Sequence, residues 1–244
     1  MLLAKVPARE RMQVLDVGCG TGHPTIEVLA RLGEGSRVIA IDPDSALLDV
    51  ARRRAHDEAG RRIFFSCAMA EELAFGDEVF DLVVSNLAFG TYVQPERALA
   101  EIRRVLVDGG QFLLTHALEG TFEEVFDVFR EIALRRDDAE LSARIDRILG
   151  RYPTAETFEA LFTNAGFEDV RVTSEDFHLT LARATEVLTD PTLRAVGLPE
   201  WRWIAGFEAD GEAILASLPK TLDTYFGGGP LTLRVRAGLV SARA

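Results

Sequence analysis

A chain of 244 residues, 48% hydrophobic and with 39 acidic against 27 basic side chains, can bury a core but carries a net charge of −12. Proteins that grip DNA or RNA do so by neutralising phosphates, so this balance excludes nucleic acid as the main partner. No apolar run approaches the roughly 20 residues that cross a bilayer, and the opening MLLAKVPARERMQ lacks a signal-peptide core, which points to the cytoplasm.

From residue 13 onward, strand and helix signals alternate. The run Val14-Leu15-Asp16-Val17 reads as a strand covered on both faces, and the glycines of VLDVGCGTG follow it at 18, 20 and 22. Pro24 suits the first turn of the next helix. Arg37–Ile41 is a second strand ending at Asp42-Pro43-Asp44-Ser45, and helix Ala46–His56 follows with Leu47, Leu48 and Ala51 on one face. Ile63–Ser66 and Phe80–Ser85 are the third and fourth strands. Helix Pro95–Leu106 closes at Asp108-Gly109-Gly110, and Gln111–His116 is the fifth strand. Repeated β-α-β units imply a parallel sheet with right-handed crossovers.

After His116 the rhythm changes. Residues 119–149 read as two helices meeting near Arg136-Asp137-Asp138, helix Ala155–Ala165 stops at Gly166, and Phe167–Thr173 returns to strand. Residues 184–226 are mostly helical, broken by Pro191, Pro199 and Pro219, and Leu231–Ala242 makes a last strand. The organisation expected is a single domain, 1–244, with helical insertions at 117–153 and 174–230. Cys19 and Cys67 lie in apolar contexts and read as buried thiols.

A glycine turn followed by an acid binds nucleotides in more than one way. The nicotinamide and flavin fingerprint is G-x-G-x-x-G with an acid about 20 residues on. Here the spacing is G-x-G-x-G, and Asp42 follows Gly22 by 20 residues at the end of the second strand. The acid remains for a ribose, while the third glycine of a pyrophosphate helix is missing. A nucleoside without pyrophosphate fits better than a dinucleotide.

VLDVGCGTG, IAIDPD, FDLVVSN and RALAEIRRVLVDGGQFLLT, in that order, resemble the class I S-adenosylmethionine-dependent methyltransferases, nearest to the quinone-biosynthesis and malonyl-carrier-protein methyltransferases. The likeness covers residues 13–117 well and 154–174 fairly. It implies a Rossmann-like, doubly wound α/β sheet of seven strands, mostly parallel with an antiparallel last strand. It also implies S-adenosylmethionine as cofactor, a small-molecule acceptor and no metal. By the same resemblance Asp16 orients the turn and holds the methionine ammonium, Gly18, Gly20 and Gly22 let the backbone approach the cofactor, and Asp42, with Pro43 beside it, clamps the ribose. The chain at Ser85-Asn86 meets the ammonium. One departure stands out: where relatives carry an acid for the adenine amino group this chain has Met69, so adenine is left to Met69, to backbone near Ala70, or to Glu71.

Methyl transfer needs an acceptor in line with the sulfonium and sometimes a general base. Strand ends offer Tyr92 and His116, the latter titrating near neutral pH. The acceptor site is expected in the two insertions. Phe122, Phe126 and Phe129 recur there at helical spacing, Trp201 and Trp203 lie in the second, and a mobile lid over an apolar pocket is the arrangement implied. A non-catalytic S-adenosyl-ligand binder of the same fold is the alternative. The sequence leaves oligomeric state open.

Overall fold

The computed structural model describes residues 1–244 and sets the first five strands in parallel: β1 (Gln13–Val17), β2 (Arg37–Asp42), β3 (Ile63–Cys67), β4 (Phe80–Asn86) and β5 (Leu106–Ala117). Between them run α1 (Thr25–Arg31), α2 (Ser45–Ala55) and α3 (Pro95–Val105). Then come α4 (Glu123–Arg136), α5 (Ala139–Leu149), α6 (Ala155–Asn164), β6 (Glu168–Leu181), α7 (Pro191–Val196), α8 (Leu198–Ala205), α9 (Ala209–Tyr225) and β7 (Leu231–Arg243). The strands form one seven-stranded sheet in the order β3-β2-β1-β4-β5-β7-β6, with the closing strands antiparallel. The chain reverses its direction of travel across the sheet between β1 and β4, and a crevice opens at such a point beyond the carboxyl ends of the strands.

The chain divides into two compact units, one of residues 1–116, 155–174 and 238–244, the other of 117–154 and 175–237. The first is built on strands that are nearly fully buried: Val14, Leu15, Val38, Ile41, Leu82, Val83 and Val84 expose 1% or less. Phe112, Phe162 and Phe167 stack beside them at 5.5–5.7 Å between ring centroids. The second unit has a core of its own from Phe122, Phe126, Phe129, Leu141, Trp201, Leu218 and their neighbours.

Several elements differ from the sequence reading. β5 starts at Leu106 rather than Gln111, because Leu106 pairs with Phe80 and Gln111 with Leu82, so Val107–Gly110 bulges out of the ladder with Gly109 at φ +69°. β6 runs to Leu181 although SED is polar, since this edge strand is held by its neighbour β7 rather than by burial. Pro191 and Pro199 begin helices α7 and α8, whereas Pro219 lies inside α9. Leu215, Leu218 and Leu222 are buried on either side of Pro219, and their burial offsets the roughly 3 kcal/mol that an interior proline costs. Pro24 is the cap residue before α1 and not its first turn. Cys19 is buried but Cys67 is exposed, because β3 is the other edge of the sheet.

The glycine turn after β1 is fixed by contacts on three sides. The N–H groups of Gly18 and Cys19 both donate to the Ile41 carbonyl, at 2.8 and 2.9 Å, which ties the turn to β2. Gly22 packs on Ala51 of α2. Gly18, at φ +75°, lies so near Ala88 that a Cβ would stand 2.2 Å from the Ala88 Cβ, whereas a Cβ on Gly20, at φ +52°, would meet nothing within 4 Å. Gly20→Ala should therefore cost only the left-handed backbone penalty of ~1–2 kcal/mol, a fall in Tm of about 2–8 °C. Gly18→Ala adds a collision and should lower Tm by at least twice as much as Gly20→Ala in thermal melts. Equal losses would show that the Ala88 contact is not what demands glycine.

Candidate active site

A cleft of about 320 Å³ opens among the residues that follow β1, β2, β3 and β4. Val17 and Gly18 line it from β1, Asp42, Pro43 and Leu47 from β2 and α2, Ala68, Met69, Ala70 and Glu71 from beyond β3, and Asn86, Leu87, Ala88, Thr91 and Tyr92 from beyond β4. None of these 14 side chains is a lysine, arginine or histidine, so the only charges on the wall are carboxylates.

Asp42 is 7% exposed and uses both oxygens at once. Oδ2 accepts from the Gly20 N–H at 2.9 Å and Oδ1 from the Asp44 N–H at 2.9 Å. A carboxylate has about four lone-pair sites, so two remain for a ligand. Asp16 behaves differently. It is fully buried on β1, it takes the Thr25 hydroxyl on Oδ2 at 2.5 Å, and Oδ1 has no partner. Burial pushes its pKa up to about 7, against the Thr25 hydrogen bond, with the nearby Asp42 charge adding to the rise. Asp16 therefore sits behind the glycine turn and does not open onto the cleft.

Glu71 does line the cleft, but its Oε1 accepts the N–H groups of Val93 and Gln94 at 2.6 and 3.1 Å, at the start of α3. That leaves Met69, 45% exposed, and Leu47, 37% exposed, as the large apolar groups near the ends of β2 and β3. Leu47 faces the cleft, while Leu48 and Ala51 of the same helix are buried.

At the end of β4, Ser85 is fully buried and its hydroxyl lies 2.9 Å from the Tyr92 hydroxyl. Burial drives the Tyr92 phenol well above its ordinary pKa, so it stays protonated at neutral pH. Asn86 accepts the Thr115 hydroxyl on Oδ1 at 2.7 Å, which leaves its amide NH2 as the group free to donate. The His116 ring is 9% exposed, 5.7 Å from Phe89 and 5.4 Å from Phe158 between centroids, and it is not part of the cleft wall.

Of the residues singled out from sequence, the cleft brings together Gly18, Asp42, Pro43, Met69, Ala70, Glu71, Asn86 and Tyr92. Asp16, Gly20, Gly22, Ser85 and His116 lie outside its wall. Phe122, Phe126, Phe129 and Trp201 are 4% exposed or less and pack the core of the second unit. Trp203 is only partly buried, with Arg147 5.7 Å from its ring centroid. Val17, Leu47, Ala68, Leu87, Ala88 and Thr91 escaped the sequence reading. Most follow a strand's carboxyl end within a few residues, and that placement is the signal that could have found them.

Comparison with known proteins adds a family. Residues 15–114 match the family described as a methyltransferase domain. The chain is 35% identical over 182 residues to the ubiquinone/menaquinone biosynthesis C-methyltransferase of Methylobacterium nodulans, covering 70% of this chain and 71% of the relative. It is 30% identical over 238 residues to the malonyl-[acyl-carrier protein] O-methyltransferase of Geobacter sulfurreducens, covering 94% and 84%. Among solved structures, the YcgJ protein of Bacillus subtilis superposes with a TM-score of 0.63 at 20% identity, over 99% of this chain and 95% of that one.

The Asp16 shift has a measurable consequence. An unfolded aspartate titrates near ~3.9, and Asp16 in the folded chain near about 7. Between these values the folded state holds a proton that the unfolded state has lost, so the contribution of Asp16 to stability falls from about pH 4 to about pH 7 and then levels off. Asp16→Asn cannot ionise and should escape that loss. Its Tm relative to the wild type should rise by several degrees between pH 5 and pH 8, and a difference independent of pH would refute the buried, proton-holding state.

Proposed function

The chain belongs to the class I S-adenosylmethionine-dependent methyltransferases, and on that premise we propose that it methylates a small, uncharged, largely apolar acceptor. S-adenosylmethionine supplies an electrophilic methyl group on a sulfonium cation. The residues present fit such a ligand: the cleft wall holds carboxylates and no cation, so a positively charged ligand is favoured and a phosphorylated nucleotide finds no counter-charge. Asp42 has lone pairs left for ribose hydroxyls, Leu47 and Met69 offer apolar surface to the base, and the Asn86 amide donates to a polar end.

The same observation carries the acceptor class. A wall without a basic side chain leaves an anionic acceptor uncompensated, whereas a neutral ring loses nothing by entering. Of the two relatives' named activities, quinone C-methylation suits this wall better than O-methylation of a malonyl group. We assign no base to the cleft. Tyr92 is held protonated, and His116 packs between two phenylalanines, so positioning of the acceptor supplies the rate and the proton that the methylated ring carbon gives up passes to solvent.

The second unit is proposed as the acceptor's cover. Residue 117 ends a strand parallel to β4, so that segment leaves the sheet from a carboxyl end, the end at which ligands bind in such sheets. Hydrogen exchange should show 119–150 or 184–226 gaining protection when S-adenosylhomocysteine and acceptor are both bound. Protection confined to 14–45 would overturn the cover.

Three further measurements test the site. Incubation with methyl-labelled S-adenosylmethionine should transfer label to a reduced naphthoquinone lacking its ring methyl and not to a malonyl thioester; the reverse pattern sinks the neutral-acceptor reading. Asp42→Ala should weaken S-adenosylhomocysteine binding by about 10²-fold, the worth of two charge-assisted hydrogen bonds. With the labelled acceptor in hand, His116→Gln should keep kcat within about tenfold of wild type, and a fall of 10²–10⁴ would make His116 the base.

A further inference from the structure

A second cavity lies wholly within the unit of residues 117–154 and 175–237 and shares no residue with the cleft. It measures about 280 Å³. Arg147, Ile148 and Arg151 line it from the end of α5, and Pro199, Glu200 and Trp203 line it from α8. Its sign is the reverse of the cleft's, because two guanidinium groups stand against one carboxylate and that carboxylate is already engaged. Glu200, 19% exposed, accepts the Tyr152 hydroxyl on Oε2 at 2.5 Å and has Arg151 3.5 Å from Oε1. Burial and the Glu200 charge raise the Tyr152 phenol far above its ordinary pKa, so it keeps its proton and goes on donating. Arg147 pairs with no carboxylate, and its guanidinium lies 5.7 Å from the centroid of the Trp203 ring. Asp146, its neighbour on α5, lines a different groove.

The helix dipole favours cations at the end of α5, which accounts for the arginines but not for the tryptophan. The Arg151 N–H donates to the Ile148 carbonyl at 3.0 Å, so the helical turn continues past Gly150 and keeps both arginines on one side. Trp201 and Trp203 stand about 200° apart around α8. Trp201 is fully buried in the core of the unit, whereas Trp203 is only partly buried and gives up some of the apolar burial that an indole gains in a core. What the pair offers instead is a flat apolar face bordered by a planar fork of donors, the surface that receives a flat ring carrying a carboxylate.

We propose that this cavity binds a small organic anion, a flat ring bearing a carboxylate, with Trp203 against the ring and Arg147 taking the charge. Its volume is near the lower end of those that hold small ligands, which fits one or two fused rings. An acid that the cleft wall leaves uncompensated thus has a place elsewhere on the chain, and this site stands independently of the cofactor reading.

The test follows the two tryptophan indole N–H signals by NMR, assigned with Trp203→Phe, during titration with naphthoate, its neutral counterpart naphthalenemethanol, and inorganic phosphate. Naphthoate should move the Trp203 signal with a Kd in the millimolar range or below and leave the Trp201 signal in place. Naphthalenemethanol and phosphate each lack half of the ligand and should bind at least about tenfold more weakly. Arg147 is exposed, so Arg147→Gln should keep Tm within about 2 °C of wild type while weakening naphthoate about tenfold. An unmoved Trp203 signal, equal binding of the neutral alcohol or of phosphate, or an Arg147→Gln variant that binds within twofold of wild type would each overturn the site. The ligand series uses wild-type protein alone, so it decides the matter even if the variant does not fold.

Discussion

The Asp42 carboxylate is the group on which the cleft depends. It stands at the end of β2, and its two oxygens reach in different directions, one to the Gly20 N–H and one to the Asp44 N–H. Asp44 in turn caps α2 by accepting from the N–H groups of Ala46 and Leu47. One charge thus fixes the glycine turn on one side and the entry to α2, with the cleft-facing Leu47, on the other. Two backbone donors keep this charge in place at 7% exposure without a basic partner. No lysine or arginine is needed to stabilise it, and none lines the cleft.

The opposite wall is held by a similar economy of charge. Glu71 satisfies the N–H groups of Val93 and Gln94, which precede α3 and would otherwise be orphan donors. Two residues further on, the Leu73 N–H donates to Glu101 of α3, and Arg104 donates to the carbonyls of Leu73 and Phe75 while pairing with Glu101 and Asp77. The segment carrying Met69 and Ala70 is therefore clamped to α3 by polar contacts, and α3 is fixed by buried Ala98, Leu99, Ile102 and Val105. Rigid walls on both sides let a 45% exposed methionine remain in a defined place.

How much of this was legible in the sequence follows from what each residue's chemistry encodes. β1, β2 and β4 are nearly continuous apolar runs and could hardly be anything but buried parallel strands. Gly18 and Asp42 were legible because positive φ and a strand-end carboxylate leave a mark on spacing. Cys67 misled, since apolar neighbours report a strand but not that the strand is an edge. Pro219 misled because its local cost is visible while the compensating burial of Leu218 and Leu222 is a tertiary fact. Leu87 could not be seen at all, because nothing in a leucine announces a left-handed φ. That conformation comes from Thr115, 28 residues further along the chain.

The aromatic residues of the second unit show a deeper limit. Phe122, Phe126, Phe129 and Trp201 have the composition of a greasy pocket and turn out to fill a core. Packing and binding recruit the same side chains, so apolar content locates buried surface without saying whether protein or ligand buries it. A polar group stranded among them is more informative. The Trp201 indole N–H is buried with no partner, and such a donor costs ~1–3 kcal/mol. A ring of that size, 5.5 Å from Phe122 between centroids and with Gly197 making room against its edge, returns more than this by apolar burial. In the first unit Asp42 meets two backbone donors and keeps lone pairs unused; in the core of the second, apolar packing overrides even an unmet hydrogen bond. Hence the cleft can be described residue by residue from its polar partners, while the apolar core of the second unit declares only what fills it.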